Sequence, residues 1–106
     1  MTQREMQRLT PSQRDAALMA AARALSRQLN AYSETPRELA SAARESDAAL
    51  EEQLRRWLTP ECHHRRGTCD HGFPAWFCRE AEPAANALRR IARQYRAAEA
   101  LAREAD

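Results

Sequence analysis

At 106 residues and 12.1 kDa the chain fits one small domain, which leaves little room for a catalytic cleft with its own supporting shell. It holds 23 Ala, one Ile and no Val, a composition that favours helix and argues against a sheet. All 17 basic residues are Arg, as a GC-rich coding genome would produce unaided, and with 15 acids they leave a net charge of only +2.

That charge is unevenly placed. Residues 1–33 carry five Arg against two acids, 34–54 two against six, 55–96 nine against four, and 97–106 one against three. The basic 55–96 stretch is suggestive of an anionic partner, although a solvated Arg face is the commoner cause of such a run. No run of 18 apolar residues exists to span a membrane, and Met1 to Thr10 lacks the apolar centre of a signal peptide, so a cytoplasmic location is expected.

In chain order, a short polar lead gives way to Thr10-Pro11-Ser12-Gln13, which has the form of a capping box: Thr10 as N-cap, Pro11 at the first helical position and Gln13 at the third. A first helix is predicted over about 10–32. Its apolar positions Leu18, Ala22, Leu25, Leu29 and Tyr32 step by four and three and form one seam.

Thr35-Pro36-Arg37-Glu38 repeats the box, with Glu38 in the reaching role, and predicts a second helix over about 36–58. Leu39, Ala43, Ser46, Leu50, Leu54 and Trp57 carry its seam, while Glu45, Asp47, Glu51 and Glu52 read as a solvated face. Two matching seams joined by a few residues imply an antiparallel helical hairpin over about 10–58.

Glu82-Pro83 then opens a third helix, about 83–104, along Leu88, Ile91, Tyr95, Ala98 and Ala102. The fold class expected is all-α: a single three-helix domain, residues 1–106, made of the hairpin, a Cys/His metal knot over about 59–80 and the C-terminal helix. Leu18, Leu25, Leu29, Leu39, Leu50, Leu54, Trp57, Leu88, Ile91 and Tyr95 are the expected core.

The knot rests on where the chemistry is concentrated. Thr59 to Arg79 holds all three Cys, all three His, both Gly and both Phe. In a reducing compartment three thiols beside three imidazoles read better as metal ligands than as disulfides. Cys62, Cys69, His71 and Cys78, spaced Cys-x6-Cys-x-His-x6-Cys, supply the Cys3His set that tetrahedral Zn2+ takes, with His63 or His64 as alternates for His71. Gly67 and Gly72 suit the sharp turns of a chain folding round an ion. No paired Cys-x-x-Cys knuckle is present, so an iron-sulfur cluster, or cysteines acting only as small apolar residues, stay open as alternatives.

Four side chains closing the shell would make such a zinc structural. The sequence also lacks His-Glu-x-x-His, Pro-Cys-x-x-Cys and a Gly-rich phosphate loop, and no enzyme is expected. Two functions follow. Arg55, Arg56, Arg65, Arg66, Arg89, Arg90, Arg93 and Arg96 flank the knot as a surface for nucleic acid, in a regulatory or accessory protein. Alternatively the chain is an interaction module for a protein partner or for a second copy of itself.

Overall fold

A computed structural model describes the backbone of residues 1–58 and 75–105 and the side chains of 1–57 and 81–104. Among the described residues the protein is all-helical, with five helices: α1 (Gln3–Arg8), α2 (Pro11–Leu29), α3 (Thr35–Glu45), α4 (Asp47–Leu58) and α5 (Ala75–Ala105). Residues 59–74, which hold Cys62, His63, His64, Arg65, Arg66, Cys69 and His71, lie outside them. Of the expected metal ligands only the backbone of Cys78 is described, near the start of α5.

The polar lead is itself a helix. Thr2 caps α1 by accepting from the Glu5 amide while the Glu5 carboxylate accepts from the Thr2 amide. This reciprocal box stabilises a piece too short to persist alone. Met6 is completely buried where α1 packs on α5.

The expected box at Thr10 is present, with the Gln13 amide donating to Thr10 Oγ1 at 3.1 Å and the Thr10 amide to Gln13 Oε1 at 2.9 Å. Helix α2 stops three residues before the predicted boundary because Asn30 turns left-handed, at φ 52° and ψ 38°. The Ala31 amide then reaches back to the Ser26 carbonyl, a Schellman closure that Asn tolerates better than most residues. Tyr32, placed on the seam by spacing alone, is consequently outside the helix and 64% exposed.

The second box is absent. Glu34 is the N-cap of α3, already in helical conformation and making no side-chain cap bond, and Thr35 is the first helical residue. A tight turn closed by the Thr35 amide on the Tyr32 carbonyl brings Thr35 inside, fully buried, with Oγ1 lacking a partner among the described residues.

The long second helix is in fact two. Ser46 adopts an extended conformation, φ −171° and ψ 165°, ends α3, and caps α4 by accepting from the Ala49 amide at 3.0 Å. A serine hydroxyl competes with the helical ladder for backbone donors, so a Ser followed by Asp forms a stop and a start. The third helix begins earlier than predicted, at Ala75, and passes through Pro83, whose missing amide leaves the carbonyl four residues back without its helical partner.

Helix α5 is the spine on which α1, α2, α3 and α4 pack. Leu18, Leu25, Leu39, Leu50, Leu54 and Leu88 are fully buried, as expected, while Leu29, Trp57, Ile91 and Tyr95 are only partly buried at the core's margin. Between the leucines lie Ala22, Ala40, Ala43, Ala81, Ala85 and Ala92, all at zero exposure, which lets helix backbones approach closely.

Candidate interaction surface

Helices α4 and α5 are joined along one edge by an ion-pair ladder, and it uses residues expected elsewhere. The Arg89 guanidinium makes a fork to Glu51, Nε to Oε1 at 2.6 Å and Nη2 to Oε2 at 3.3 Å, and Nη1 also reaches Glu82 at 3.3 Å and Asn86 at 2.7 Å. One turn along α5, Arg93 Nε donates to Asp47 Oδ2 at 3.3 Å. Arg96 bonds both the other Asp47 oxygen and the Ala43 carbonyl. Carboxylates four residues apart on α4 thus meet arginines three and four apart on α5, in antiparallel order.

The ladder perturbs its members. Partial burial acts to raise Asp47, but hydrogen bonds from Arg96 and Arg93, reinforced by their charge, outweigh it and hold the carboxyl below its ordinary value. Arg89 is raised, chiefly by its hydrogen bonds to Glu51 and against the desolvation of its own burial. Each exposed pair adds under about 1 kcal/mol, so the ladder sets how α4 lies on α5 more than it drives folding.

Of the arginines expected to face nucleic acid, Arg89, Arg93 and Arg96 are therefore brought together but turned to internal carboxylates. Arg90 and Arg56 are exposed, and Arg55 is an exposed partner of Glu52 at 3.4 Å. Arg65 and Arg66 lie outside the described residues. Asp47 and Glu51, read from the sequence as a solvated face, are the ladder's acidic side.

Two further cross-helix pairs escaped the sequence reading. Arg14, only 4% exposed, donates from Nη2 to Glu99 at 2.9 Å and ties α2 to α5, while Arg44 reaches Asp15 at 2.6 Å and ties α3 to α2. The signal for the first was present: Arg14 lies four residues before Leu18, in phase with the apolar seam.

On the outer side, where α3 turns through Ser46 into α4, there is a groove of about 440 Å³. Small residues Ser41, Ala42 and Ala49 line it together with Glu38, Glu45 and Glu52; Arg37 and Gln53 complete it, giving a formal charge of −2. Glu38 and Glu45 have no cationic partner among the described residues, whereas Glu52 is shared with Arg55. Glu38 Oε2 and Gln53 Oε1 are shut off from solvent without a hydrogen-bond partner among them. Such unpaired acceptors carry a desolvation cost.

No family model, curated protein or solved structure matches the chain. Its surface must therefore be read on its own chemistry. A shallow acidic groove between two helices, with small side chains along it, suits a cationic helix, which the carboxylates would orient through Arg or Lys donors. At the bundle end near residue 58, Tyr32 and Trp57 meet edge to face, ring centroids 5.1 Å apart at 71°. Among the described residues no cluster of His, Cys, Asp and Glu could hold a metal ion, and no helix is long and apolar enough to cross a membrane.

Proposed function

We propose that this protein is a small, non-catalytic helical interaction module that binds a cationic protein segment in the α3–α4 groove. The observation that carries this reading is the groove itself, whose Glu38 and Glu45 lack cationic partners among the described residues, while Arg89, Arg93 and Arg96 are already engaged by carboxylates of α4. Nucleic acid is the second reading. It is supported by the excess of five positive charges over 55–96 and by the exposure of Arg56 and Arg90.

A structural Zn2+ ion held by Cys62, Cys69, His71 and Cys78 belongs to the proposal, in a protein working in the reducing cytoplasm. Its support is the ligand chemistry of the sequence, three thiolates and an imidazole that together close a tetrahedral shell. Protein purified without added metal should contain one zinc per chain by elemental analysis, and absence of stoichiometric metal would reject the site.

The deciding experiment is an NMR titration of the full chain with an Arg-rich helical peptide and, separately, with duplex DNA and single-stranded RNA. Peptide should shift the amides of Glu38, Ser41, Glu45, Ala49 and Gln53. Nucleic acid should bind only at low salt, because several of the needed arginines already have carboxylate partners. Nucleic-acid binding that persists at physiological salt and shifts Arg56 and Arg90 instead would transfer the assignment to the second reading.

A further inference from the structure

Resting on that reading, we infer that the cationic occupant of the α3–α4 groove is the outer face of α2 from a second copy of this chain. Positions 13, 16, 20, 23 and 27 of α2 are all exposed and recur at intervals of three and four, which makes them one face of the helix. They read Gln13, Ala16, Ala20, Arg23, Arg27. One half of the face is small enough to let a helix settle close against Ser41, Ala42 and Ala49. The other half presents two guanidinium groups one turn apart, neither with a carboxylate partner among the described residues.

The groove offers the complement. Glu38 and Glu45 lie two turns apart on α3, about 10 Å along its axis, against about 6 Å between Arg23 and Arg27 on α2, a difference that the long Arg side chains can span. The two faces thus match in sign.

Because the donor face and the groove are different surfaces, each contact joins unlike patches: two copies can exchange both contacts across a two-fold axis, or the contact can repeat head to tail as a ring or an open chain. A single helix face in one shallow groove is a small contact, so the association is weak and grows with protein concentration. Its charged character makes it weaken as salt rises.

Sedimentation velocity on the full-length protein tests this. At low salt the average mass should climb from that of one chain as concentration goes from micromolar to millimolar, and high salt should return it to one chain. Arg23→Glu/Arg27→Glu should remain monomeric, and so should Glu45→Arg, a change at an exposed position that does not put the fold at risk. An equimolar mixture of the two variants should assemble again, because each supplies the charge that the other has reversed. A wild type that is monomeric throughout, or an Arg23→Glu/Arg27→Glu variant that assembles as the wild type does, would overturn the inference. If the wild type is monomeric yet the Arg-rich peptide still shifts the groove, self-docking fails while the interaction reading stands; if the peptide also fails, both fall.

Discussion

Thr10 and Thr35 begin the same four-residue pattern, and they give the sharpest test at the scale of single residues. Thr10 holds the Gln13 amide, so Thr10→Ala should cost about 1 kcal/mol, the usual worth of a cap. Thr35 caps nothing: its Oγ1 is buried with no partner among the described residues, so Thr35→Val should be neutral or stabilising. Chemical denaturation of both variants checks this, and equal losses would mean that Thr35 is a cap after all. Arg14 poses the opposite case, a guanidinium 4% exposed whose compensation is Glu99. Glu99→Ala leaves that charge buried and unpaired and should cost roughly 2–4 kcal/mol, less than a fully buried pair because Glu99 is partly exposed. The double variant Arg14→Met/Glu99→Leu, which removes both charges, should recover most of the loss.

Helices whose apolar residues repeat in phase were legible in the sequence; the points where they stop were not. The Leu18, Leu25, Leu39, Leu50, Leu54 and Leu88 seams are buried as read, since burial of large apolar side chains dominates the free energy. Asn30 was missed because Tyr32, in phase with the seam, carried the predicted helix past it, and Ser46 because it sits on the seam itself; periodicity says nothing of a left-handed cap or of a hydroxyl that ends one helix and starts another. The groove was hidden for the same reason, since it exists only because α3 and α4 are separate elements meeting at Ser46. Of its acids, Glu45 and Glu52 read as part of one solvated face when the helix is taken as unbroken, and Glu38 as the reaching residue of a capping box.

That junction also has a pH signature. Asp47 opens α4 and is clasped by Arg93 and Arg96, the second of which also bonds the Ala43 carbonyl at the end of α3. Its folded pKa is depressed, so its contribution is present above the unfolded value near 3.9 and is lost as pH falls through the lower folded value. Asp47→Asn should therefore lower the melting temperature at neutral pH, and the difference from the wild type should shrink as pH falls below the unfolded value. A variant as stable as the wild type at pH 7 would show that the clasp adds nothing.

Across the whole molecule the core is a few leucines set between alanines, and this sets an unusual balance of sensitivities. Leu50 is 1% exposed and belongs to the main cluster, so Leu50→Ala should cost about 2–5 kcal/mol, a large share of what a domain of this size has to lose. Enlarging an alanine should be nearly as harmful. Ala85 and Ala92 are at zero exposure on the spine helix, seven residues apart, and stand where α5 meets its neighbours in the common cluster. A leucine at Ala85 would force the packed helices apart and strain rotamers throughout that cluster, at a cost of about 1–3 kcal/mol. It would also disturb the register in which Arg89 and Arg93 meet Glu51 and Asp47. Thermal unfolding of Ala85→Leu, followed by NMR of the α4 amides, should show both the loss of stability and shifts along the ladder. Stability equal to the wild type would mean that the helices are held apart with room to spare, contrary to an Ala-spaced core.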